Sequence, residues 1–235
     1  MVEEVDPAAV PVVLSIDVGR KNLALCAVRP GDKPASDRIV AWSVISCEPT
    51  AAGIAAAVHA LTRDDARWAD ATARCTDVVI ERQPPRNATM SRLQHYLEMY
   101  FAMHSKHVVV QDAKHKLAYA ASTPWWPSGD LASWTYYLRK KLSVQTTEAF
   151  LADTHQAADL VDAFQQTKKK DDYADSLLQC QAYCHLKRAS PGTLLRTPLS
   201  TLPSSAPDVV PKKKKARRAP PPPRLAAPPP VTLLE

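Results

Sequence analysis

The sequence predicts an α/β fold, a mixed five-stranded sheet flanked by helices, and three observations predict it. Three strand-like apolar runs follow one another closely between residues 12 and 45, as in an antiparallel meander. From residue 76 the pattern becomes strand, helix, strand and helix, an order that lays parallel strands under helical cover. Beyond Pro191 hydrophobic periodicity stops and proline becomes dense. The expected layout is a short disordered N-terminus (1–11), a folded domain (12–190), and a disordered Pro-rich, Lys/Arg-rich tail (191–235).

The first run, Val12 to Val18, is nearly all β-branched or Leu, which suits a strand buried on both faces. Gly19 follows where the backbone must turn or admit a ligand, and 22–29 forms the second strand. A turn at Pro30–Pro34 leads to a third strand, Arg38 to Ile45. Ala51 to Ala66 is Ala-rich with Ile54, Val58 and Leu61 near helical spacing, so a helix is expected there. Thr76 to Glu81 is a short buried strand, ended by Pro84-Pro85. Met90 to Lys106 reads as a helix with Leu93, Leu97, Tyr100, Phe101 and His104 on one stripe, and with Met99 and Met103 as core filler. His107 to Gln111 is the fifth strand, and Ala118 to Asp130 reads as a turn-rich connection. Helices follow over 131–151, with Trp134, Tyr137, Leu138 and Leu142 on the apolar side, more weakly over 154–166, and from Lys168 to about Arg188.

Net charge is +6, but seven Lys/Arg against two acids in residues 200–235 leave only +1 for the first 199. A nucleic-acid surface on the folded part must then be a local patch. No apolar run approaches the roughly 18–20 residues that cross a bilayer, so no membrane partner is expected. The acidic start, Met1 to Asp6, lacks the layout of a signal peptide. Five scattered cysteines suit a reducing, intracellular setting.

Four carboxylates stand out by position. Asp17 and Glu81 end buried strands, and Asp172 and Asp175 share one face in the first turn of the last helix. Ligands collect at the carboxyl ends of parallel strands, so Asp17 lies beside Glu81 if the first strand runs parallel to the fourth. Converging anions repel one another and require cations. Hard oxygen ligands suit Mg²⁺ or Mn²⁺, and two such ions about 3.5–4 Å apart can activate water and stabilise the leaving oxygen in phosphodiester cleavage. The bland alternative is ordinary helix-start acids for Asp172 and Asp175, and a solvated charge run for Lys168–Lys170, which otherwise would face a phosphate backbone.

Ser15-Ile16-Asp17-Val18-Gly19-Arg20-Lys21-Asn22-Leu23-Ala24, Val79-Ile80-Glu81-Arg82-Gln83 and Lys170-Asp171-Asp172-Tyr173-Ala174-Asp175-Ser176 resemble the motifs of RuvC-type Holliday junction resolvases. The likeness, over roughly residues 12–188, is to the branch of poxviruses and other large DNA viruses, which is related to mitochondrial cruciform-cutting endonucleases. It implies an RNase H-like fold and a homodimer that nicks a four-way DNA junction symmetrically. It also implies Mg²⁺, two ions per site, held by Asp17, Glu81, Asp172 and Asp175, with Asp171 as an alternative register for the third acid. The family's basic residue after the fifth strand contacts the scissile phosphate; Lys116 is the candidate and Lys114 the alternative. Arg82 and Pro84-Pro85 depart from the viral pattern, and the tail lies outside the likeness. Rival readings are a nuclease for flaps or RNA–DNA hybrids, and a non-catalytic DNA-binding or packaging protein.

Lys212 to Arg218 resembles a nuclear localisation signal, which would engage an import receptor and slightly favours the host nucleus over a viral replication site as the setting. It could equally be a phosphate-binding arm or a solubilising tail. Trp125, Trp126 and Trp134 could stack on unpaired bases, though core or dimer packing is the usual use of large aromatics.

Overall fold

Strand β1 (Val12–Val18) sits at the centre of a five-stranded sheet of order β3-β2-β1-β4-β5. The computed structural model describes residues 11–126 and 135–189, so the expected terminal segments, the basic tail and Trp134 lie outside the described residues. Strands β2 (Asn22–Arg29) and β3 (Arg38–Ser46) form the antiparallel meander with β1. Strands β4 (Cys75–Glu81) and β5 (His107–Gln111) run parallel to β1 on its other side. Three strands therefore end at the same edge. Ile16 is level with Ile80, so Asp17 and Glu81 come one step later on neighbouring strands.

Alternation along the strands decides which face each acid takes. Val12, Leu14, Ile16 and Val18, with Val78 and Ile80, pack against helices α1 (Ala51–Asp64), α2 (Ala66–Arg74) and α3 (Ala88–Met103) through Ile54, Val58, Trp68, Leu93 and Phe101. Val13 and Val79 face the other way, onto α5 (Tyr136–Asp153), α6 (Ala158–Gln166) and α7 (Lys170–Ala189). Asp17 and Glu81 keep the parity of Val13 and Val79. They belong to the α7 face.

Helix α7 crosses this face under two restraints. Trp42 of β3 donates its indole N–H to Tyr173 O at 3.1 Å and to Ser176 Oγ at 3.2 Å, while its ring stacks on Phe164. Gln179 reaches the carbonyls of Ile16 and Val79 at 3.2 and 3.1 Å, tying α7 to the two central parallel strands. The first turn of α7 is thereby held near the sheet edge that carries Asp17 and Glu81.

Several local expectations are corrected. The helix expected to reach Ala66 stops at Asp64, and a second one, α2, follows; its charged sequence buries only Trp68 and Ala71, too little to show as a stripe. Residues 113–122, expected to lie in the strand exit and a turn-rich connection, form helix α4 (Ala113–Ser122). Asp112 caps it by accepting from Lys114 N–H, and no Gly or Pro interrupts it before Thr123. Met99 and Met103, expected in the core, are 63% and 77% exposed, and His104 is exposed as well. The buried face of α3 uses Met90 and Gln94 beside Leu93, Leu97 and Phe101. Tyr137, expected on the apolar side of α5, is exposed. Trp126 is buried against Tyr119, Leu142 and Leu178, while Trp125 meets Phe150 edge-on and donates to Asp153, so both serve packing within the domain.

Candidate active site

The β1–β2 turn opens the site. Gly19 donates to Asn22 O at 3.0 Å, and a side chain there would bring its Cβ to 2.6 Å from that same oxygen. Only a hydrogen fits, whereas the backbone angle itself is ordinary. Beside this turn lies a pocket of about 420 Å³, lined among others by Asp17, Glu81, Lys116, Asp172 and Asp175. Acids from β1, β4 and α7 thus meet at one place.

Lys116, at the end of the first turn of α4, extends into the middle of them. Its Nζ lies 3.3 Å from Asp175, 3.4 Å from Glu81 and 4.0 Å from Asp17. The residue is only 7% exposed. Burial works against the ammonium, but Asp175, Asp17 and Glu81 together outweigh it and hold its pKa above the ordinary lysine value. Burial raises the pKa of Asp17, with Lys116 pulling the other way and Glu81 adding to the rise. Asp175 is raised for the same first reason, and Asp172 by burial and the neighbouring charge of Asp171. Lys116 is the ammonium set among Asp17, Glu81 and Asp175, and one charge there does not balance the converging acids.

The two open choices of residue separate geometrically. Asp172 lines the pocket, whereas Asp171 is ion-paired to Lys140 of α5. Lys114 stays at the surface, 4.0 Å from Asp112, while Lys116 enters the pocket. Of the lysine run, Lys169 lies 3.7 Å from Asp172, and Lys170 bonds Glu148 and covers the Phe164 ring. The pocket also contains Tyr136, Arg139 and Lys140, which sequence reasoning did not single out as site residues; their i, i+3, i+4 spacing was the available signal.

As the side chains stand, no group of three acids, His or Cys among the described residues is spaced to hold one metal ion. The donor set nevertheless fits a hard divalent cation. It is all carboxylate oxygen, and three of its members already converge on a cation, the Lys116 ammonium. No described helix is long and apolar enough to cross a membrane.

The family model described as Poxvirus A22 protein matches residues 11–187, three-quarters of the chain. The chain belongs to this family. The resemblance to RuvC-type Holliday junction resolvases drawn from its motifs therefore holds. Among curated proteins, the uncharacterized protein 97L of invertebrate iridescent virus 3 is 32% identical over 111 residues. That match covers 46% of this chain and about half (48%) of the relative's length. Among solved structures, the fowlpox virus resolvase in complex with its substrate Holliday junction DNA has a TM-score of 0.50 at 18% identity, over 74% of this chain and 97% of that one. The yeast mitochondrial Holliday junction resolvase Ydc2 matches at 0.48 and 18% identity, over 77% and 84%. The fowlpox likeness shows the fold: the mixed five-stranded sheet is that of a resolvase.

Proposed function

We propose that this chain is a structure-selective DNA endonuclease that resolves four-way junctions by paired symmetric nicks. The observation that carries the reading is the convergence of Asp17, Glu81, Asp172 and Asp175, drawn from three distant parts of the chain, on one pocket in a member of the A22 family.

In this reading the four acids would hold two Mg²⁺ ions, with Mn²⁺ as a substitute. Bound there, the ions supply a water nucleophile at neutral pH and neutralise charge on the phosphate oxygens. Lys116 contributes in two ways. Without divalent ions it is the internal counter-charge that keeps the acids together. With ions and DNA present, its Nζ is free to turn to the scissile phosphate, where a buried ammonium stabilises developing charge strongly. A four-way junction has two-fold symmetry, so two opposed cuts call for two copies of this pocket related by the same symmetry. A homodimer supplies them. The basic run Lys212–Arg218 fits nuclear import as a separate role.

The test is a labelled mobile junction incubated with wild type and Asp17→Asn, with and without Mg²⁺, reading cut positions on all four strands. Expected are paired cuts on opposed strands that need Mg²⁺. Asp17→Asn should keep binding and lose nicking by about 10³-fold, roughly 4 kcal/mol of barrier. Faster cutting of an RNA–DNA hybrid or a flap than of the junction would overturn the substrate assignment.

A further inference from the structure

We infer that the α5 face formed by Tyr136, Arg139 and Lys140 grips a DNA phosphate next to the one being cut. The inference rests on the endonuclease reading and adds to it the residues that hold the strand.

Three observations carry it. Tyr136, Arg139 and Lys140 occupy one helical face and line the same pocket as the acids, so they lie within a nucleotide's reach of the Lys116 ammonium. Arg139 is the second observation. It forms no ion pair among the described residues although carboxylates surround the pocket, and its Nε is shielded from water and meets no hydrogen-bond partner among them. A guanidinium that pairs with no carboxylate in the fold keeps its charge for an incoming anion. The planar fork of an arginine matches two oxygens of one phosphate. Third, Lys140 is already braced for the same task. Its ammonium lies 5.4 Å from the centroid of the Tyr136 ring and is ion-paired to Asp171.

This arrangement gives Asp171 a purpose that metal binding does not. It parks Lys140 at the pocket mouth and competes with phosphate for it. The acids of the pocket repel a polyanion, and Lys116 alone does not balance them. A basic wall facing the acids lets the backbone approach without neutralising the carboxylates. The basic wall stands on α5 and two of the acids on α7, and the Lys140–Asp171 ion pair bridges the two helices.

The experiment measures binding of a labelled four-way junction, and of a linear duplex with the same arm sequence, without divalent ions and across 50–200 mM salt. Each phosphate contact contributes about 0.9 to the slope of log affinity against log salt. Arg139→Ala should lower that slope by about one on both DNAs and weaken binding about tenfold, with Arg139→Lys recovering part of the loss. Lys140→Ala should act in the same direction, about threefold, because Asp171 already holds part of its charge. Asp171→Asn should bind two- to threefold more tightly than wild type, since it frees Lys140. Should Arg139→Ala disturb folding as judged by thermal unfolding, Arg139→Gln carries the same measurement. An unchanged slope in the arginine variants overturns the grip and leaves the resolvase reading standing. Equal affinity of wild type for junction and duplex sinks the resolvase reading, while the duplex slopes still decide the grip.

Discussion

Strand β4 carries an acid at each end, on the same face of the sheet: Asp77 near its start and Glu81 at its close. Four residues of strand put them about 13 Å apart. Their surroundings are opposite. Asp77 is 2% exposed and has four partners: Thr76 Oγ at 2.6 Å, Lys187 Nζ at 2.8 Å, Tyr183 OH at 2.9 Å and the ring nitrogen of His107 at 2.9 Å. Burial pushes its pKa up, but Lys187, Thr76, His107 and Tyr183 more than offset that and bring it down to about 2. Glu81 shares a single ammonium with Asp17 and Asp175. An acid matched by donors is a structural joint. A group of acids outnumbering its donors is a place prepared for cations that come from outside.

The comparison breaks most readily at the two lysines. Lys116→Met removes the buried ammonium that three partly buried carboxylates share, which should cost about 3 kcal/mol of stability in EDTA. Added Mg²⁺ should raise the melting temperature of this variant more than that of wild type, because an ion binding only the folded state adds stability by mass action. Lys187→Met should cost about 1 kcal/mol, since that ammonium is partly exposed and Asp77 keeps three partners, and Mg²⁺ should not restore it. Thermal unfolding with and without Mg²⁺ measures both. Equal losses, or equal rescue, would erase the distinction drawn between the two ends of β4.

A pH series sharpens the same contrast. The Asp77 carboxyl falls from 3.8 when unfolded to about 2 in the fold. Its contribution is therefore complete above about pH 4 and drains away as pH drops toward 2, some 2 kcal/mol in all. Asp77→Asn should flatten the stability profile over that acid window. Denaturant melts at successive pH values check it, and a variant as acid-sensitive as wild type would show that the partners of Asp77 contribute no net stability.

Sequence pattern reached the strands, the parallel half of the sheet and the spacing of the acids because each is local. Asp17 and Glu81 close apolar runs, and Asp172 and Asp175 lie one turn apart. The Asp77 joint was out of reach, since its Lys187 partner comes 110 residues later and is delivered only by the course of α7 over β4. The pairing of Lys140 with Asp171, 31 residues away, was hidden in the same way. Met99 and Met103 show a different limit. An apolar spacing along α3 records a stripe but not whether a neighbouring element covers it, and within the described residues these two stay exposed. For α4, composition suggested a loop, whereas capping by Asp112 made a helix whose first turn carries Lys116 inward.

The smallest effect concerns how the two ends communicate. Gln179 lies between them on α7, one turn after Asp175 and one before Tyr183, and donates to the carbonyls of Ile16 and Val79. It fixes the height at which α7 crosses β1 and β4, and so the distance of Asp175 from Glu81. Gln179→Leu keeps the bulk but loses both bonds, for a stability loss of about 1 kcal/mol, a few degrees in melting temperature. Because α7 would lose one of the two restraints that set the height of Asp175 while Asp77 keeps its own partners, Mg²⁺-dependent nicking should fall several-fold more than junction affinity. A variant whose cutting and binding decline together would mean that the Gln179 bonds add only to packing, and that the height of Asp175 is set elsewhere along α7.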